Sequence, residues 1–137
     1  MRDGILFISL AAALLAGCTG SPGGTGSIGK SQHEVVHDLT VAVSAGTTWY
    51  QQFQGDGRAS YSFGLTDGSS VDLGFMRAQN VQAYAGGSSS TCYACHTSVS
   101  RASDAANLEA DSWAFFIHCD NTFADCDGII QSVMATY

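Results

Sequence analysis

Ala59-Ser60-Tyr61-Ser62-Phe63-Gly64-Leu65-Thr66-Asp67-Gly68-Ser69-Ser70-Val71-Asp72-Leu73-Gly74-Phe75-Met76 holds two runs of alternating character around one turn signal. Tyr61, Phe63 and Leu65 alternate with small residues, and Val71, Leu73 and Phe75 repeat the pattern. A period of two places every second side chain on one face of a strand, so both runs predict strands with an apolar face turned to a core. Asp67-Gly68 between them is the chemistry of a tight turn joining antiparallel neighbours. Working outward, Trp49 to Gln54 and Asn80 to Ala85 predict two more strands, with Gly55-Asp56-Gly57 as a further turn. The expectation is an antiparallel meander of about four strands.

The flanks change period. Ser31 and Glu34 form a capping box, Val35, Val36, Leu39 and Val43 recur at helical spacing, and Gly46 supplies a stop, which predicts an N-terminal helix. A short strand from Leu39 to Val43 is the rival reading. Gly86 to Ser90 is a flexible break, Ala102 to Ala110 predicts a short helix, and Trp113 to His118 is an apolar stretch suited to a buried strand or helix. From Gly128 onward, Ile129, Ile130, Val133, Met134 and Tyr137 fall on one face of a short amphipathic helix that Asp127 could cap. The fold class expected is therefore α+β.

Residues 1–17 carry Arg2 and then an apolar run from Ile5 to Ala16, too short for a stable membrane anchor but suited to a secretion signal. The run ends in Leu15-Ala16-Gly17-Cys18, which resembles the lipobox of bacterial lipoproteins. That resemblance implies cleavage before Cys18, acylation of its thiol and of its new amino group, and an anchor of two or more chains that holds stably. Thr19 stands where an Asp would suggest inner-membrane retention, so in a Gram-negative host the resemblance implies the outer membrane, facing the periplasm. Residues 18–30, rich in Gly, Ser and Thr and holding Pro22, the sole proline, read as a flexible tether. Residues 31–137 are left as one globular domain.

The chain carries a formal net charge of −7. Beyond the leader the only fixed cations are Lys30, Arg58, Arg77 and Arg101. That balance excludes nucleic acid, whose counterions only clustered Lys and Arg displace. Of five cysteines, Cys18 is committed to lipid, and Cys92, Cys95, Cys119 and Cys126 remain, an even number in an oxidising compartment. Parity fits two disulfides as well as one disulfide and a haem-binding pair.

Cys92-Tyr93-Ala94-Cys95-His96 is a C-x-x-C-H sequence, the attachment motif of c-type haem. Two thiols at that spacing reach the two vinyl groups of a haem from one side of a turn, and the next residue directs an imidazole at the iron. On this reading Cys92 and Cys95 hold a covalent haem c, His96 is the proximal ligand, and Met134, Met76 or His118 is a candidate sixth ligand. Cys119 and Cys126 then pair with each other. A mostly β domain followed by a late haem motif resembles the cytochrome P460 and cytochrome c′-β group, in arrangement and in the motif alone. The lysine that P460 enzymes cross-link to haem has no counterpart, because Lys30 lies in the tether. The tail beyond His96 is also longer than that pattern.

The function expected is a membrane-tethered monohaem cytochrome that passes single electrons to a redox partner or binds a small ligand, an electron carrier or binding protein more than an enzyme. The alternative is a non-catalytic envelope lipoprotein stapled by two disulfides and binding a partner through its sheet or loops. A thioredoxin-like site lacks the proline it normally sets beside its cysteine pair. A zinc site would have to compete with oxidation. Asp120, Asn121, Asp125 and Asp127 do not follow the order of an EF-hand loop. No nucleophile is grouped with a base in a hydrolase order.

Overall fold

The computed structural model describes residues 29–137 and is an all-β fold rather than α+β. Six strands, β1 (Gln32–Val43), β2 (Thr48–Leu65), β3 (Val71–Arg77), β4 (Tyr93–Val99), β5 (Arg101–Cys119) and β6 (Cys126–Thr136), form one antiparallel sheet in the order β1-β6-β2-β5-β3-β4. A 3-10 turn at Ala78–Asn80 leads into a single short helix, α1 (Val81–Ala85). The expected signal segment 1–17, Cys18 and most of the expected tether lie outside the described residues.

The two aromatic runs form strands, but they are not neighbours. Tyr61 pairs with Asp104 on one side and Val133 on the other, and Val71 pairs with Cys119, so β5 lies between β2 and β3. The meander is replaced by long-range pairing. Gly55-Asp56-Gly57 is no hairpin turn either, because β2 runs through it for 18 residues. Gly55 pairs with Asp111 and Gly57 with Leu108, so Asp56 faces two residues of β5, Glu109 and Ala110. This bulge bends the ladder and moves β5's inward side chains from Ala106 and Leu108 to Trp113, Phe115 and Ile117. Gly57, at φ 133°, has a conformation that a side chain would resist.

The bend lets β2 and β5 serve two packed layers. Their distal halves continue into β6 and β1, and their other halves into β3 and β4. Aromatic rings close the space between. Phe75 of β3 meets Phe53, Tyr61 and Phe115 at centroid separations of 5.6, 5.4 and 5.9 Å. Edge-on contacts of this kind add to the burial of the rings themselves.

Three expected helices are strands, for a shared reason. In β6, Ile130 pairs with Phe63 and Ser132 with Ser62, so Gln131 is an extra residue, and Ile130 and Val133 both turn inward although three positions apart. That spacing imitates a helix. In β1, the ladder slips between Glu34 and Val36, and Asp38 takes φ 47°. Val36, Val41 and Val43 are therefore buried while Leu39 is 40% exposed. Ala102 to Ala110 lies in β5, where Ala102 pairs with Phe63 and Ala106 with Ala59 of β2. Helix propensity is a weak prior, and the pairing needs of β2 override it. Conversely, Asn80 to Ala85, expected as a strand, supplies α1, whose Val81 is buried with Met76, Ala114 and Phe116 on the far side of the sheet from the main core.

Tyr61 ties the layers together at its tip, donating a 2.5 Å hydrogen bond to the carbonyl of Ala94 in edge strand β4. Burial, and then the charge of Asp104, hold its phenol well above the usual range, so it stays a donor. Tyr61→Phe should cost about 1 kcal/mol in urea melts and speed amide exchange along β4. An unchanged exchange rate there would show that the bond does not secure the edge.

Candidate functional site

The cysteine motif lies on β4, an irregular edge strand. Its ladder with β3 slips twice between Val71 and Phe75, and Ala94 and Ser98 adopt left-handed φ values of 54° and 52°. Cys92, just ahead of the strand, is joined to Cys95 within it. Cys95 points inward, its sulfur 3.2 Å from the Tyr93 carbonyl and packed beside Met76, Ala114 and Phe116. Gly74 leaves the space it occupies, and any side chain there would strike Cys95. His96 instead engages Asp104 of β5, Nε2 to Oδ2 at 2.8 Å. The Ala105 amide first, and then His96, hold the Asp104 carboxyl below the usual carboxylate range.

These residues do not fit a covalent haem. Haem c needs both sulfurs free for thioethers and the imidazole aimed at the same flat face, but here the sulfurs are spent on each other and the imidazole on a carboxylate. The expected sixth ligands are not gathered around His96 either. Met76 is fully buried behind Cys95, Met134 sits on β6 opposite Glu34 and Ser60, and His118 bonds Thr48 Oγ1 through Nδ1 at 2.9 Å. On that geometry the described residues support two disulfides and not the expected haem grip. Cys119 and Cys126 form the second disulfide, with both residues fully buried where β5 turns toward β6.

Around His118 the register assembles a polar cluster that the sequence did not reveal. Asp72 of β3 pairs with His118 of β5, which places it near Asp120 although 48 positions separate the two carboxylates. Ser98 of β4 bridges them, its amide donating to Asp72 at 2.9 Å and its hydroxyl to Asp120 at 3.3 Å. Partial burial, then the negative charge of Asp72, push the Asp120 carboxyl above its ordinary value. Tyr84 of α1 stacks edge-on against His118 at 5.8 Å, and burial beside these two carboxylates pushes its phenol up to about 12. The pair can share a proton and pin β4 to the sheet. Among the described residues no three His, Cys, Asp or Glu side chains are arranged to hold a metal ion.

On the other layer, the outer face of β2, β5 and β6 forms a shallow groove lined by Ser62, Gly64, Arg101, Ser103, Ile129 and Gln131. Ser103 donates to Ser62 at 3.0 Å and Ser62 to Gln131 at 3.1 Å, so its floor is hydrogen-bonded to itself. It offers small polar groups and one cation, and no nucleophile paired with a base.

No protein-family model matches the chain, and no curated protein matches it. Among solved structures it is similar to the pre-peptidase C-terminal domain of a collagenase from Bacillus anthracis. That likeness has 10% identity and a TM-score of 0.46, covering 74% of this chain and 90% of that one.

The two disulfides differ in access, and that difference is measurable. Cys92 is exposed, whereas Cys119 and Cys126 are sealed in the core. Graded reduction followed by alkylation and mass spectrometry should label Cys92 and Cys95 while the near-ultraviolet dichroism is unchanged. Cys119 and Cys126 should open only with global unfolding. Labelling of all four in one step would contradict the assignment.

The carboxylate pair also has a pH signature. Asp120 holds its proton more tightly in the fold than in the unfolded chain, so the fold binds more protons above the ordinary value of 3.8 and stability falls as pH rises through that window. Asp120→Asn should therefore stabilise at neutral pH, by no more than about 0.5 kcal/mol because solvent still screens a pair that is only partly buried. The gain should shrink in urea melts as pH falls toward 3.8. A gain that grew on acidification would reverse the sign.

Proposed function

We propose that this chain is a non-catalytic envelope lipoprotein, a disulfide-stapled β-module that binds a partner. The observation that carries the reading is the fate of the cysteines. Cys92 is joined to Cys95 and Cys119 to Cys126, so the four sulfurs beyond the lipobox are consumed in stapling the fold. Such bonds persist outside the cytoplasm, where the apolar leader and Leu15-Ala16-Gly17-Cys18 would send the chain. Cys18 would carry the acyl chains and residues 18–30 would lift the domain from the outer membrane into the periplasm. The cross-linking suits a small domain whose core is limited by its size. The net negative charge leaves nucleic acid out of the reading.

Peptide mapping of the mature protein under non-reducing conditions tests this directly. The expected products are a Cys92–Cys95 peptide, a Cys119–Cys126 peptide and an N-terminal fragment beginning at acylated Cys18. A haem-bearing peptide, or disulfides crossing between the two pairs, would overturn the reading.

A further inference from the structure

The turn between β5 and β6 presents an aromatic side chain that the fold does not use. Phe123 is 95% exposed, against 40% for Leu39, the other large apolar residue left open among the described residues. Isolated apolar residues on a surface are ordinary. This one differs in how firmly it is held. The buried Cys119–Cys126 bond clamps the base of the turn. Asn121 Oδ1 accepts hydrogen bonds from the amides of Phe123 at 2.9 Å and Ala124 at 3.3 Å, which fixes the tip. Asp125 Oδ1 accepts from the Ala45 amide at 3.1 Å, which ties the turn to the β1–β2 connection. Asp67 Oδ2 accepts from the Asp127 amide at 2.9 Å on the opposite flank. A loop fixed at its base, tip and both sides holds its ring in water at no benefit to folding. Such a loop loses little further freedom when the ring enters a socket.

Charge says what the socket looks like. Asp120, Asp125 and Asp127 flank Phe123 in the chain, Asp67 accepts from the Asp127 amide beside them, and the sequence has no Lys or Arg between Arg101 and Tyr137. Hydrogen bonds, first from the Ser69 hydroxyl, hold Asp67 below the usual carboxylate range, so it stays charged. An aromatic wedge made for anionic lipid would carry basic neighbours instead. A second copy of this chain is a poor host as well. Lys30 is engaged by Asp56 and Arg77 by Glu109 and Asp111, which leaves few cations to meet four carboxylates.

We infer that Phe123 is the anchor of a docking site for a protein partner that offers an apolar socket rimmed by Lys or Arg. The inference rests on the binding-module reading and names which surface does the binding. The carboxylates would steer the encounter and the buried ring would hold the complex.

The test uses the full acylated chain in its own envelope membranes. A photo-crosslinking phenylalanine analogue replaces Phe123 in one preparation and Ser103, in the sheet groove, in another. The expected result is one discrete polypeptide adduct from position 123 that weakens roughly fivefold in a Thr122→Lys, Asp127→Lys background and at high salt. Neither substitution removes a side-chain contact of the turn, and retention of both disulfides checks that it stays folded. An adduct with phospholipid, with a second copy of the chain, or with a polypeptide indifferent to charge reversal would overturn the inference. A protein adduct from position 103 alone would also overturn it while sparing the binding-module reading. No protein adduct from either position would overturn both.

Discussion

The bulge at Asp56 and Glu109–Ala110 is the constraint on which the rest of this molecule depends. β2 and β5 pair along almost their whole length, and a regular ladder of that length would present one continuous apolar face to a single layer. One extra residue in β5 reverses which of its side chains turn inward and bends the pair, so that two strands line both layers. Trp113 locks the corner. Its indole donates to the Glu109 carbonyl at 2.9 Å, and Arg77 lies 4.7 Å above its ring while pairing with Glu109 and Asp111. Gly55 leaves room for that indole, which a side chain would crowd. With the corner set, Phe75 can meet Tyr61 across the core, and Tyr61 can reach Ala94 on the edge strand.

The same corner decides what the cysteine motif can do. Once β3 lies beside β5, β4 has to run along the outer edge of β3, with Cys95 filling the space above Gly74. His96 then turns toward Asp104, away from Cys95. The geometry that a porphyrin requires, two sulfurs and an imidazole on one face, is incompatible with that placement. The short motif is compatible with either chemistry. It is the packing around it that separates a cofactor grip from a staple.

Electrostatics follow from pairing in the same way. Asp72 and Asp120 come together because β3 and β5 are in register, and Ser98 bridges them because β4 ends beside both. The buried disulfide at Cys119 and Cys126 closes the base of the neighbouring turn, with its acidic residues and its exposed Phe123. The buried staple, one of the two bridged carboxylates and the projecting ring lie along one continuous stretch of the chain, from His118 to Gly128.

What the sequence determined by itself is local. The alternation of Tyr61, Phe63 and Leu65, and of Val71, Leu73 and Phe75, marks strands because a period of two is a property of neighbouring residues. The cysteine count and the acidic balance likewise need no partner to be read. Which strands pair, and where a bulge changes the period, depends on residues far along the chain. Gln131 makes Ile130 and Val133 share a face only because Phe63 and Ser62 of β2 lie opposite, and that spacing looks helical to any local reading. The fate of Cys92, Cys95 and His96, the meeting of Asp72 with Asp120, and the isolation of Phe123 are equally non-local. Tertiary structure decided these because register and burial are set by contacts between distant segments.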